Sequence, residues 1–137
     1  MQQLLEDAFD SLAAQIWMAN QSGSLTFVNA FTAQYFEMSK GQLIGESWQN
    51  VLHSADLATA VERWTRSIQT EDRYQVDFRL LRGSDRTYRR HHASARLTRI
   101  GGASTWIGSN IDVDADKRTD EVLQAWRQQL SSPSDVE

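Results

Sequence analysis

The sequence predicts an α+β domain in which a short strand pair, a helical middle and a three-stranded meander follow one another. Three observations predict it. Residues 74–81 alternate apolar and polar with period two, glycine-containing turns at 83–85 and 101–102 divide the chain beyond them into two further strands, and residues 54–70 carry large apolar side chains at helical spacing.

The elements follow in order. Leu4, Leu5, Ala8, Phe9 and Leu12 recur at helical spacing with Glu6, Asp7 and Asp10 on the wetter side, so residues 1–13 read as an amphipathic cap helix that must bury its stripe somewhere. Ile16 to Ala19 and Leu25 to Val28 are β-prone runs around the turn cluster Asn20-Gln21-Ser22-Gly23, which makes them an antiparallel pair. Asn29 caps a short helix patterned by Ala30, Phe31, Ala33, Tyr35 and Phe36, and Gly41 and Gly45 bracket one more helical turn. From Ser54 to Thr70, Leu57, Val61, Trp64 and Ile68 share one face opposite Glu62, Arg63 and Arg66, with Asp56 near the positive amino end. Tyr74, Val76, Phe78 and Leu80 then face a core on a strand, and Gly83-Ser84-Asp85 turns the chain. A strand from about Thr87 to Thr98, the Gly101-Gly102 turn and a strand from about Ser104 to Val113 complete the meander. Residues 14–114 thus form one core domain, residues 115–131 an exit helix carrying Val122, Leu123, Trp126 and Leu130, and residues 132–137 a tail or linker.

Composition narrows the chemistry. Five tryptophans, five phenylalanines and three tyrosines in 137 residues supply enough apolar surface to order one compact core. The absence of cysteine excludes disulfides, thiolate metal sites and a flavin that reacts through a thiol adduct. No apolar run approaches the roughly 20 residues that cross a bilayer, and the amino terminus is amphipathic, so a cytoplasmic location is expected without a direct membrane span. The net charge of −4 argues against a nucleic-acid partner, although eight arginines and two histidines between Arg73 and Arg99 face only Asp77 and Asp85. That segment reads as a locally basic solvated or docking surface. Three histidines without close ligand spacing make no metal site, and His53 reads as a helix cap. The long helix contains no histidine, so it offers no imidazole ligand for a haem.

Several short motifs, in this order, resemble the PAS family of sensory domains over about Phe9 to Glu121. Leu25-Thr26-Phe27-Val28-Asn29 is similar to the family's segment before its first core helix, and Gly41-Gln42-Leu43-Ile44-Gly45 to its leucine-and-glycine step. His53-Ser54-Ala55-Asp56 resembles the His-Pro-Asp-Asp start of its long helix, with serine in place of proline. Tyr74-Gln75-Val76-Asp77-Phe78-Arg79-Leu80 resembles its Tyr-x-x-Glu-x-Arg strand. The most specific likeness is Trp106-Ile107-Gly108-Ser109-Asn110-Ile111-Asp112-Val113-Asp114 followed by Asp116-Lys117-Arg118, the aspartate-led junction of last strand and exit helix. The chain departs from the family at Arg90, where a tryptophan is frequent.

The resemblance implies a five-stranded antiparallel sheet with short helices on one face, an N-terminal amphipathic helix and a C-terminal exit helix. It implies a sensor of a two-component or cyclic-nucleotide signalling system, working as a homodimer with an attached or separate histidine kinase or diguanylate cyclase. Candidate pocket residues are Phe78, Leu80, Tyr88, Arg90, His92, Trp106 and Asn110. Gly108, between Trp106 and Asn110, lets something approach the backbone closely, and Asn110 either reads a ligand or satisfies neighbouring groups. With Leu80 opposite Arg90, Arg90 and His92 point inward as a receptor for a small organic anion, whereas a slip of one residue turns them outward. An internal pair with Asp77 or Glu46 is the other alternative. Asp112 and Asp114 are hinge candidates, Asp114 as helix cap and Asp112 paired with a base such as Lys117 or Arg118. A ligand-free interaction module is the alternative function, and a small enzyme using His92, Asp77 and Tyr88 a distant third, so catalysis is not expected.

Overall fold

A computed structural model describes residues 2–114 and 124–129. The elements are α1 (Gln2–Asp10), β1 (Gln15–Asn20), β2 (Leu25–Val28), α2 (Ala30–Phe36), α3 (Lys40–Leu43), a 3₁₀ turn (Ser47–Val51), α4 (Ser54–Thr70), β3 (Tyr74–Leu81), β4 (Tyr88–Ile100) and β5 (Ala103–Asp112). The five strands form one antiparallel sheet in the order β2-β1-β5-β4-β3. The first and last strands are therefore central neighbours, and Gln15 at the start of β1 lies opposite Asn110 near the end of β5. Chain entry and chain exit meet at one end of the sheet.

The inner face carries Trp17, Ala19, Val28, Tyr74, Val76, Phe78, Leu80, Ala93, Ala95 and Trp106, which pack against Phe36, Leu43, Val51, Leu52, Ala60 and Trp64 from the helical side. Each large side chain so buried contributes about 1.5–3 kcal/mol. The β1–β2 turn is pressed onto α4. Gly23 has φ +96°, a Cβ there would fall 2.2 Å from Ile68 Cδ1, and its carbonyl accepts a hydrogen bond from Trp64 Nε1 at 3.0 Å.

Helix starts are tied to strands by side chains. Asn29 caps α2 by accepting from Thr32 N, also accepts from Ile16 N at 3.1 Å, and donates through Nδ2 to the carbonyls of Phe9 and Ala14, both at 2.8 Å. One fully buried amide thus joins α1, β1 and α2. His53 caps α4 by accepting from Ala55 N, and Asp56 in its first turn accepts from Arg79 N, Nε and Nη2 on β3. The arginine holds the Asp56 carboxyl below its ordinary range.

The amphipathic amino helix buries less than its pattern promised. No α1 residue is fully buried and Leu4 is 74% exposed. Its carboxyl end is the anchored part, through Phe9 against Phe27 and through Asp10, which accepts from Ala30 N and pairs with Lys40. At the other end, residues 113–114 and 124–129 are helical, the latter exposed. Residues 115–123 and 130–137 of the expected exit helix and tail, including Lys117, Arg118, Leu123 and Leu130, lie outside the described residues. Among the described residues no helix is long and apolar enough to cross a membrane.

Candidate functional site

Trp17 and Gly108 are cross-strand partners on the inner face. A Cβ on residue 108 would fall 2.2 Å from Trp17 Cζ2 and 2.3 Å from Cε2, so the close approach that Gly108 permits is made by this indole. Trp17 Nε1 donates to Asn110 Oδ1 at 3.1 Å, and the ring meets Trp64 edge-on at 5.6 Å. Trp64 in turn packs edge-on against Trp106 at 5.1 Å and Tyr74 at 4.8 Å. Among the described residues, two adjoining cavities of about 50 and 40 Å³ lie between sheet and helices, with Trp17, Leu25, Trp48, Phe78 and Asn110 lining both. Sites for organic ligands occupy roughly 300–1,000 Å³, so this interior has room for a few waters. Trp106 Nε1, fully buried, has no hydrogen-bond partner among the described residues.

A polar cluster continues from Asn110 to the end of the sheet. Gln15, Arg89, His91 and Asp112 are all buried, at 3%, 7%, 1% and 8% exposure. His91 Nδ1 lies 2.8 Å from the Arg89 carbonyl, which only accepts, so Nδ1 carries the proton. Its Nε2 then accepts from Gln15 Nε2 at 3.1 Å, leaving Gln15 Oε1 to accept from Asn110 Nδ2 at 3.5 Å. Burial pushes the His91 imidazole below its ordinary pKa, consistent with the neutral form this pattern requires. Beside it, Asp112 Oδ2 accepts from Tyr35 OH at 2.7 Å and from Arg89 Nε at 3.3 Å. The Tyr35 phenol is pushed up by burial and by that carboxylate. Its ring stands edge-on to His91 at 5.4 Å.

The seven candidate pocket residues divide. Phe78 and Asn110 line both cavities, Leu80 lines the smaller, and Trp106 is fully buried behind Trp64. Tyr88, Arg90 and His92 are corrected: they face outward. The register sets Leu80 opposite Arg89 and Arg79 opposite Arg90, so the single-residue slip turns Arg89 and His91 in. Tyr88 is 47% exposed and packs on His53. Arg90 pairs with Asp114 at 3.1 Å and His92 with Asp77 at 2.7 Å, on the solvent side. Arg90 and His92 therefore do not line an inward anion receptor, and Tyr88 does not converge with His92 and Asp77 as an acid–base set. Of the partners expected for Asp112, Lys117 and Arg118 lie outside the described residues. Asp112 is held by Arg89 and Tyr35, and Asp114 is held by the backbone N–H and guanidinium of Arg90.

Sequence reasoning missed Gln15, Trp17, Tyr35, Arg89 and His91. One signal for two of them was present: Ala93, Ala95 and Leu97 share strand parity with Arg89 and His91, whereas Ser94, Arg96 and Thr98 share it with Arg90 and His92.

No family model matches the chain. The uncharacterised protein y4lL of Sinorhizobium fredii is 25% identical over 109 residues, which is 79% of this chain and only 13% of that protein. Among solved structures, an RNA-binding light-oxygen-voltage receptor superposes with TM-score 0.69 at 15% identity, covering 93% of this chain and 37% of that one. The N-terminal domain of a diguanylate cyclase with a PAS/PAC sensor from Marinobacter aquaeolei superposes with TM-score 0.63 at 18% identity, covering 76% and 98%. Strand order, helix placement and these superpositions agree that the chain has the PAS fold.

Proposed function

We propose that this chain is a sensory and regulatory module of a bacterial signal-transduction protein, which passes the state of its tryptophan core to the segment leaving Asp112. The observation that carries the reading is the unbroken run of polar contacts from Trp17 through Asn110, Gln15 and His91 to Arg89 and Asp112, at the end of the sheet where the chain departs. A change at the indole has a short path to the strand end. Fold likeness to the sensor domain of a diguanylate cyclase supports an attached or separate output enzyme of that kind, with a histidine kinase as the alternative and a cytoplasmic location as part of the same reading. Homodimerisation is supported by large apolar side chains left outside, with Leu4 at 74%, Ile111 at 45% and Trp126 at 64% exposure.

The cavities of about 50 and 40 Å³ favour a domain that works with its interior filled by its own side chains. Native mass spectrometry of the purified chain then gives the bare polypeptide mass. A retained non-covalent organic molecule would return the ligand-sensor reading, with Trp17 or Trp48 displaced to admit it. We read the domain as non-catalytic.

Hydrogen–deuterium exchange tests the relay. Trp17→Phe keeps an aromatic ring but removes the donor to Asn110, and faster exchange is expected in peptides covering Ile111 to Asp114 and beyond. Unchanged exchange there, with core fluorescence visibly altered, removes the relay.

A further inference from the structure

The direction of the hydrogen bonds that run from His91 Nε2 through Gln15 and Asn110 to Trp17 depends on one proton. With His91 neutral, Trp17 N–H donates to Asn110, Asn110 to Gln15, Gln15 to His91 Nε2, and His91 Nδ1–H to the Arg89 carbonyl. No donor faces a donor. A second proton, on Nε2, would point an N–H at the Gln15 amide N–H across 3.1 Å. Relief is a half-turn of the Gln15 amide, presenting Oε1 to His91 and Nε2 to Asn110. Asn110 must then turn as well to offer Oδ1 to Gln15, and its NH₂ comes to face the Trp17 N–H 3.1 Å away, where Oδ1 now lies. Trp17 thereby loses its acceptor.

We propose that His91 is a proton-operated switch, whose protonation reverses the Gln15 and Asn110 amides and releases the Trp17 indole from the sheet. Groups around the ring set its range. Among the described residues, Arg89 on its own strand opposes the charge, Asp112 directly opposite on β5 and Asp114 beyond favour it, and the Tyr35 ring from α2, Gln15 from β1 and Phe78 from β3 adjoin the ring. A charged imidazole also brings Asp112 a further cation besides Arg89, at the strand end. Solvent reaches the cluster through a groove of about 280 Å³ between Ala13, Ala14, Phe31 and Ile111, with Gln15, Tyr35 and Asp112 in its walls. Burial lowers the imidazole pKa from 6.5, so the transition falls below that value. By linkage the coupling is reciprocal: whatever draws the Trp17 indole away from Asn110 makes His91 easier to protonate.

The test is a pH titration of the ¹⁵N-labelled full chain by NMR, following the Trp17 indole N–H and the His91 ring. The expected result is one shared midpoint below 6.5, kept in His53→Gln and His92→Gln and lost in His91→Gln. Gln15→Met removes the amide between the two rings, and in that variant His91 still titrates while Trp17 no longer follows. A Trp17 signal that is flat while His91 titrates, that titrates unchanged in His91→Gln, or that follows pH in Gln15→Met overturns the proposal, as does a His91 that stays neutral until the fold is lost. These readouts concern the core alone, so they stand apart from the exchange behaviour that tests the relay.

Discussion

Gly108→Ala is the sharpest single perturbation of this core. The added methyl would lie 2.2, 2.3 and 2.7 Å from three atoms of the Trp17 benzo ring, which is braced edge-on by Trp64 and tethered to Asn110. Real Cβ contacts do not approach so closely, and a braced indole has no flexible end to yield. Either the ring leaves its place or β1 and β5 separate. Overpacking of a dense core costs about 1–3 kcal/mol, and loss of the indole hydrogen bond adds about 1 kcal/mol, giving roughly 2–4 kcal/mol in all. At about 3–5 °C per kcal/mol for a domain of this size, the midpoint should fall by about 10 °C. Urea and thermal unfolding, followed by circular dichroism and tryptophan fluorescence, measure this. Ser109→Ala, on the other face of the same strand, should stay within about 0.5 kcal/mol. Trp17→Phe shortens the ring that blocks the methyl, so the double variant Trp17→Phe with Gly108→Ala should be less destabilised than the sum of the singles by about 1 kcal/mol or more. Strictly additive effects, or a Gly108→Ala midpoint like wild type, would refute the packing argument.

Three further outcomes follow from the same geometry. Asn29→Ala should cost about 3 kcal/mol, well above the ~1 kcal/mol of an ordinary cap, because its amide also serves the carbonyls of Phe9 and Ala14 and the N–H of Ile16; denaturant unfolding reads the difference. Asp112→Ala should cost about 3 kcal/mol by leaving the 7%-exposed Arg89 without this carboxylate, whereas Arg90→Ala should cost under about 1 kcal/mol, and the reverse ranking would contradict the register. Unfolding free energy measured against pH should fall in acid through two sets of groups. His91 is lowered from 6.5, so the unfolded chain binds its proton first: stability is full above about 6.5 and declines as pH falls through the folded value. Asp10, Asp56 and Asp114 are lowered from 3.8, so their share is present above that value and is lost in stronger acid. His91→Gln should remove only the share that begins below about 6.5.

Much of the fold was legible because each element is locally consistent. The alternation of Tyr74, Val76, Phe78 and Leu80 marks a half-buried strand whatever lies beyond it, and Asn29 and His53 announce helix starts through caps that their immediate neighbours complete. The site was less legible because its geometry depends on pairing. A period-two strand fixes which residues share a face but not which face is inner, and arginines and histidines at 89–92 are polar on both parities. Their orientation follows from Ala93, Ala95 and Leu97 further along, where only the odd parity is apolar. Gln15 and Tyr35 had no signal, since nothing local says that β1 will pair with β5 or that α2 will lie over that pair's end.

The placement of the buried polar groups bears on function more than on stability. Buried ion pairs seldom repay their desolvation, and an apolar pair of similar volume in place of Arg89 and Asp112 would commonly hold a core as well. Here the cost falls where β5 ends beside the start of β1, the one place where both chain ends leave the sheet together. Arg89 and Tyr35 converge on the same oxygen of Asp112, so the last residue of β5 is referenced at once to β4 and to α2. Apolar contacts are non-directional and would let that residue slide. Directional bonds confine it to discrete arrangements, and a junction with discrete arrangements is what a domain requires if a small change among its tryptophans is to leave along the chain as a change of direction.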